Sequence, residues 1–233
     1  MTNWNNASLK KHLSEGLVIV LSILLALYAE ASWQAHKDRL EESEILADLK
    51  VEFAEAENEI QRDINARKII MIQAEVLSHF VENPDVDLPL DSLRQCIRAF
   101  DAWRFYTPSH PVLDDIQSSG RISLIQSDSV RYSLTFYGQE RARIQVIDES
   151  ERQVVINHIE PFLISKIDLN LLFNKDLNTE KTKRLHTQLN RLIRSPDVGS
   201  MLYLRKDRTE RAISYSTRLL EQIRLVQEVL SKD

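Results

Sequence analysis

The sequence predicts an all-α fold in which an N-terminal transmembrane helix continues into a long stalk helix that packs in an antiparallel helical bundle. The 233 residues include only 4 Gly and 6 Pro, so few positions oblige a helix to end. Apolar residues recur every three or four positions over most of the chain, which is the period of an amphipathic helix. Residues 16–33, GLVIVLSILLALYAEASW, are the exception, because there the apolar residues are continuous.

Residues 16–33 predict a membrane anchor, which follows a polar lead at residues 1–15. From Leu17 to Leu27 the only polar side chain is that of Ser22, whose hydroxyl can bond a carbonyl of its own helix. At about 1.5 Å per residue the window is about 27 Å long, close to the roughly 30 Å of a bilayer's hydrocarbon core. We expect the following side chains to lie in lipid or at its interface: Leu17, Leu21, Leu24, Leu27, Tyr28 and Trp33.

A cleaved signal peptide is the alternative for this segment. Lys10 and Lys11, the apolar run and the triplet 29–31 match the three parts of such a signal, whose removal near Ala31 would leave a secreted soluble bundle. We favour the interpretation that residues 16–33 are retained as an anchor, because helical periodicity continues through Trp33 without a helix breaker. We therefore expect a single-pass inner-membrane protein, in which Lys10 and Lys11 place the C-terminal domain outside the cytoplasm.

Residues 34–233 predict one helical bundle domain that begins with the stalk. Between Gln34 and Glu82 there is neither Pro nor Gly, so nothing interrupts the helix, and Asn83-Pro84 is predicted to end it. The apolar positions of this stalk form a single stripe: Ile45, Leu49, Phe53, Ala56, Ile60, Ile64, Met71, Ala74, Leu77 and Val81.

Two shorter helices are predicted next. Asp91 or Ser92 is placed to cap a helix that runs through Phe105. A short helix over 112–118 follows, and Gly120 is expected to stop it, since glycine adopts the left-handed conformation of a helix end. This part of the chain predicts a helix, an elbow and a further helix.

The second half of the chain predicts long helices. A cap at 127–128 begins a helix to about Asn157, and Pro161 is its kink or end. Its predicted apolar members are Tyr132, Phe136, Ile144, Ile147, Val154 and Ile159. After a polar link, a capped helix is predicted from about 179 to 194.

The last helix is predicted over 197–230, after the break at Ser195-Pro196. Acidic residues dominate 38–63 and basic residues dominate 180–224, which predicts that these two helical regions lie side by side. The alternative is that both regions are solvated faces. A solvated face is also expected for the basic patch on the last helix, which consists of Arg205, Lys206, Arg208 and Arg211.

The composition and the motifs of the sequence argue against several classes of function. A net charge of -5 and a pI near 5.8 give no electrostatic reason to expect nucleic acid. The single Cys96 excludes an intrachain disulfide and is expected to be a small buried side chain. The sequence has no Glu-x-x-His pair for a carboxylate-bridged metal, no Gly-rich phosphate loop and no Gly-x-Ser-x-Gly. We predict no catalytic residue, no metal and no cofactor.

The elbow at residues 106–125 contains the most suggestive polar cluster, namely His110, Asp114 and Asp115. Together these side chains could orient a ligand or a cation, and a metal-dependent or hydrolytic enzyme using the elbow is the alternative function. The simpler explanation is that aspartates in a first helical turn interact favourably with the helix dipole.

Two passages of the chain resemble a known family. Glu15-Gly16 before the apolar run, residues 32–34 (SWQ) after it and residues 119–125 (SGRISLI) in mid-chain are similar to an uncharacterised bacterial family of small single-pass membrane proteins, known only as a domain of unknown function. The resemblance implies a single-pass anchor and a helical domain, and it implies no activity.

These observations favour a non-enzymatic, membrane-anchored helical protein that acts as a sensor, scaffold or accessory subunit of a membrane complex. The expected partners are the lipid bilayer and either another protein or a second copy of the chain, bound through the anchor and the stalk. Nucleic acid is not an expected partner.

Overall fold

One helix, α1 (Asn6–Glu82), runs through the predicted anchor and the predicted stalk without a break. The computed structural model describes residues 6–83, 85–86, 88–106, 108–174 and 176–232, with side chains from Glu15 onwards. Within these ranges all regular structure is helical. The other helices are α2 (Leu90–Asp101), α3 (Pro111–Ser118), α4 (Asp128–Val154), α5 (Glu160–Lys166), α6 (Leu169–Phe173), α7 (Thr179–Ile193) and α8 (Pro196–Lys232).

The first residues of α1 lie inside the predicted polar lead, since the helix begins at Asn6. Residues 1–5 and the side chains of Lys10 and Lys11 lie outside the described residues, as does Pro84 beyond the other end of α1. Residues 34–82 contain neither Pro nor Gly, and the stalk is one uninterrupted helix, as the sequence predicts.

The stalk stripe forms one side of two hydrophobic cores. The near core, closer to residues 16–33, joins α1 to α3, α4 and the end of α8; it includes Leu49, Phe53, Ile60, Leu134, Tyr137, Ile144 and Ile223. The far core joins α1 to α2, to α5 through α7 and to the start of α8; it includes Leu77, Leu93, Cys96, Phe100, Ile159, Leu189 and Val198. The prediction that Cys96 is a small buried side chain is therefore confirmed.

The prediction that the acidic and basic helical regions lie side by side is confirmed in part, because α8 packs along α1 and the end of the basic region meets residues 38–63, whereas its earlier part lies beside the far end of α1. Arg224 on α8 forms an ion pair with Glu57 on α1, at 2.8 Å from Nε to Oε1. The amide of Gln227 also donates to the carbonyl of Phe53, at 3.0 Å. At the other end of α8, Gly199 lies next to Val81. The buried stripe accounts for most of this packing, because one exposed ion pair contributes only about 0 to 1 kcal/mol.

The end of α2 differs from the prediction. The helix stops at Asp101 rather than Phe105, and Ala102 has an extended backbone (φ -74°, ψ 133°). Residues 102–106 lead to His110, immediately before α3, which begins with Pro111 at its first helical position. Gly120, shortly after the end of α3, has a left-handed backbone conformation with φ 76°, as the sequence predicts for the stop of this helix.

The helix after the elbow is longer than predicted. Ser127 precedes α4, and a π-helical turn at Val155–Ile159 connects α4 directly to α5, so the chain stays helical to Lys166. Pro161 has no N–H to donate and its ring crowds the carbonyl four residues earlier. The wider π turn lies just before this proline, so the helix changes its pitch and does not end.

The predicted apolar face of α4 and the π-helical turn is buried only in part: Ile144, Val154 and Ile159 lie in the cores, whereas Tyr132 and Phe136 do not. Tyr132 is 72% exposed, and its ring stacks on Phe136 outside the core. The buried residues of α4 are Val130, Leu134, Tyr137, Glu140, Ile144, Asp148, Glu151 and Val154. Three of these eight residues are acidic, so the buried face of α4 cannot be identified from the spacing of hydrophobic residues alone.

Candidate functional site: the elbow and the buried charge cluster

The carboxylate of Glu52 on α1 binds the backbone of the elbow. Glu52 accepts hydrogen bonds from the backbone N–H of Val112 (2.7 Å, Oε2) and of Leu113 (3.3 Å, Oε1). These N–H groups belong to the first turn of α3, where no partner exists within the helix. The residue before α3, His110, makes no capping hydrogen bond of its own, so Glu52 supplies the cap from a different helix.

His110 is part of this buried arrangement. Its Nδ1 lies 3.2 Å from Oε1 of Glu52, and its Nε2 is hydrogen-bonded to the hydroxyl of Tyr137. Burial raises the pKa of Tyr137, so its phenol stays protonated and donates. With a proton on Nδ1, the ring of His110 donates to Glu52, and its Nε2 accepts from Tyr137.

The two aspartates of the elbow point to other partners. Asp114 pairs with both terminal nitrogens of Arg141, at 2.8 and 3.3 Å. Asp115 pairs with Arg121, which also reaches Glu41 on α1 at 3.2 Å. Hydrogen bonding to Asp114 raises the pKa of Arg141, and hydrogen bonding to Glu41 raises that of Arg121.

The three residues predicted to bind a ligand therefore do not converge. His110 is buried against Phe53 and Tyr137, whereas both aspartates lie at the surface. A shallow cavity of about 340 Å³ next to the elbow is lined by Asp115 but by neither His110 nor Asp114. Each side chain has a partner within the protein, and ligand binding by the three stays a prediction.

A second polar site, the buried charge cluster, lies between the near and far cores, where the sequence suggested nothing. Arg67 of α1 is completely buried and binds three carboxylates. Its distances are 2.5 Å from Nε to Asp63, 2.7 Å from Nη2 to Asp148 and 2.7 Å from Nη1 to Glu151. Two of these charge-assisted hydrogen bonds, to Asp148 and Glu151, join α1 to α4, and the third, to Asp63, lies within α1.

Arg205 of α8 completes the cluster. It pairs with Glu151 and with the carbonyl oxygen of Ala102, and its Nη1 lies 2.8 Å from the hydroxyl of Thr209. The prediction that Arg205 belongs to a solvated basic face is wrong, because this guanidinium is completely buried. Lys206, one residue later, is half-exposed.

The cluster also explains the extended segment that replaces the end of α2. The N–H of Tyr106 donates to Asp148 (2.7 Å), and Nε of Arg104 donates to Asp63 (2.8 Å). Together with the carbonyl of Ala102, these groups attach residues 102–106 to α1, α4 and α8. The carbonyl of Ala102 and the N–H of Tyr106 are therefore satisfied outside a helix.

Burial and neighbouring charges shift the pKa values of Arg67 and Asp148 in opposite directions. Burial lowers the pKa of Arg67, but the charges of Asp148, Asp63 and Glu151 outweigh this effect and the net shift is upward. Burial raises the pKa of Asp148 to about 6, although Arg67 and the N–H of Tyr106 lower it. At neutral pH the carboxylate of Asp148 is ionised, and both of its oxygens accept hydrogen bonds.

A pH dependence of stability follows from Asp148. Its pKa is about 6 in the folded chain against 3.8 ordinarily, so between these values the folded chain retains a proton that the unfolded chain has lost. We expect its contribution to the free energy of unfolding to fall by up to about 3 kcal/mol as the pH rises through that window. Urea unfolding of the wild type and of Asp148→Asn from pH 4 to 7 measures this, since the variant cannot titrate there. Parallel stability curves for the two proteins would contradict the expectation.

The described residues contain no group of three His, Cys, Asp or Glu side chains placed to hold a metal ion. No protein family, no curated protein and no solved structure matches the chain. The contacts within the molecule are therefore the basis for a functional proposal.

Proposed function

We propose that this chain is a single-pass, membrane-anchored helical protein that acts without catalysis, as a sensor, scaffold or accessory subunit of a membrane complex. The observation that carries the proposal is a contrast along α1. Residues 45–77 bury one face in the two cores, whereas the apolar window near the N-terminus is long enough to cross a membrane and buries nothing. A continuous apolar surface of this size is unfavourable in water, which supports lipid as its surroundings.

The continuity of α1 supports a mechanical role. The helix that contains the apolar window also contributes Glu52 to the elbow and Arg67 to the buried charge cluster. A tilt or rotation of the anchor would therefore reach both polar sites through one rigid element. This is the property that a sensor or an accessory subunit needs, because coupling requires a contiguous structural connection between two sites.

The proposal includes an antiparallel bundle on the far side of the membrane. The order of contacts supports it: Arg224, late in α8, meets Glu57, whereas Gly199, early in α8, lies next to Val81. The domain is placed outside the cytoplasm because of Lys10 and Lys11, following the positive-inside rule.

Carbonate extraction of membranes tests the proposal. We expect the protein in the membrane pellet, with an N-terminus that mass spectrometry finds intact. A signal sequence has similar length and composition, and cleavage near Ala31 would release the protein into the soluble fraction. Recovery of a shortened soluble chain would overturn the anchor.

A matched pair of substitutions sharpens this test. Leu21 and Leu40 lie on the same helix and are 56% and 57% exposed, respectively. We expect Leu21→Arg to move much of the protein out of the pellet, since arginine at the centre of a membrane helix costs roughly 3 kcal/mol. Leu40→Arg lies beyond the anchor and should leave extraction unchanged. Equal behaviour of the two variants would show that residues 16–33 do not lie in lipid.

A further inference from the structure

We propose that the outward face of the stalk is a dimerisation surface for a second copy of this chain, with the two α1 helices parallel and in register. The inference rests on the membrane anchor proposed above. Anchors in one bilayer confine their stalks to the same layer and point them the same way, which raises the effective concentration of one stalk near another.

The surface is a row of uncharged residues on the side of α1 that faces away from the cores. We call it the outer stripe, and its members follow one another at steps of four or three residues: Ala47, Val51, Ala54, Asn58, Gln61, Asn65, Ile69 and Ile72. From Ala47 to Asn65 the steps alternate between four and three, which is the spacing of a coiled-coil seam, and a further step of four then leads to Ile69. Charged side chains are frequent on the rest of the exposed surface of α1, so a row without any charge is a distinct feature.

The large apolar side chains of the outer stripe are open to solvent. Val51 is 62% exposed, Ile69 is 60% exposed and Ile72 is 54% exposed. No other helix in the described part of the chain packs over them, because α8 and the elbow lie on the opposite side of α1. A second helix along the outer stripe would remove this apolar surface from water.

The charges beside the outer stripe suit a parallel second copy. In a parallel two-helix seam, a side chain just before one core position faces the side chain five residues later on the partner helix. Lys50 would thus face the second copy's Glu55, and the reverse pair forms by symmetry. Among the described residues, none forms an ion pair with Lys50 or Glu55, so both are free to make these contacts.

The next heptad repeats the relation with the signs exchanged. Glu57 and Arg62 are also five residues apart on the two edges of the outer stripe. Glu57 already pairs with Arg224 of its own chain, so its carboxylate would interact with both Arg224 and the second copy's Arg62. The charge pattern therefore favours one parallel register at two successive positions.

Two asparagines point to the same arrangement. Asn58 and Asn65 are seven residues apart and occupy the same position of the repeat. A buried asparagine at such a position pairs with its own counterpart, which favours a two-stranded, in-register assembly at a cost in stability. Ala47 and Ala54 allow close approach but bury little surface, so association should be weak in solution and effective in a membrane.

Cross-linking of the full-length protein in membranes tests the inference. Asn58→Cys and Asn65→Cys would place two thiols next to each other across the seam, and a short bismaleimide should join them into a dimer. Glu59→Cys is the matched control, because it is equally exposed but turned away from the outer stripe. The unmodified chain controls for Cys96, which is buried. Cross-linking that is as strong at residue 59 as at 58 would overturn the proposal, as would products with the mass of a different partner.

Charge reversal gives a second, independent readout. In the Asn58→Cys background, Lys50→Glu would face Glu55 of the second copy and should lower the cross-linked fraction by about fivefold, because two like-charge contacts form per dimer. Adding Glu55→Lys should restore it. Both residues are exposed, so folding should not change. Absence of the loss or of the rescue contradicts the register.

The extraction experiment separates the two proposals. Protein that stays in the carbonate pellet but gives no dimer at residues 58 and 65 overturns the dimer and leaves the anchor intact. Protein that leaves the pellet overturns the anchor itself.

Discussion

Replacing Arg67 with Met is expected to lower the free energy of unfolding by about 3–5 kcal/mol. Arg67 is buried and shared by Asp63, Asp148 and Glu151. Its loss would leave three carboxylates in the interior with one remaining buried cation, Arg205. Methionine keeps most of the side-chain volume, so the effect reports the charge more than a cavity.

Urea unfolding of the full-length protein in detergent measures this effect. Arg62→Met is the matched control, because Arg62 is exposed on the same helix and no described residue forms an ion pair with it. We expect the control to change stability by no more than about 0.5 kcal/mol. Acid should partly rescue Arg67→Met, since protonation removes the unpaired negative charges. Equal destabilisation by both substitutions would mean that the charge cluster does not stabilise the fold.

Replacing Phe53 with Ala is expected to cost about 3–5 kcal/mol of unfolding free energy, through lost burial and the cavity left behind. Phe53 is fully buried in the near core, with its ring centroid 4.9 Å from that of Tyr137 and 5.7 Å from that of His110. The substitution would therefore loosen both the core and the elbow. Tyr203→Ala removes an exposed aromatic ring on α8 and should have little effect.

Thermal or urea unfolding of both variants provides the measurement, and the elbow gives an additional signal. If Phe53 supports the elbow, amide hydrogens in residues 111–118 should exchange faster in Phe53→Ala than in Tyr203→Ala. Unchanged exchange with lowered global stability would show that the polar contacts of the elbow hold it in place without Phe53.

Periodicity was sufficient to predict much of the fold. Most of the stalk stripe, including Phe53 and Ile60, is buried where spacing places it, but Ile70 is buried in place of the predicted Met71. The single helix from the apolar run to Glu82 follows from the absence of Pro and Gly. The stop at Gly120 and the break before Pro196 were also predicted from local rules. Each of these features depends on residues close together in sequence.

The polar sites could not be predicted in the same way. Arg205 stands among basic residues in the sequence, which is typical of an exposed face, but the structure buries it against Glu151. Arg67 and Glu151 are separated by 84 residues, so no local pattern records their contact. The only sequence signal was indirect: acidic residues occupy core positions of α4, where hydrophobic residues are expected.

The sequence by itself therefore determined the helices, their main breaks and an apolar run near the N-terminus that is long enough for a membrane. The tertiary structure decided which charges lie inside, where α2 ends and which face of α4 packs in the core. The physical reason is that helix formation and hydrophobic spacing are local, whereas the burial of a charge depends on partners that distant segments bring together. Arg67, Asp148 and residues 102–106 depend on one another in this way.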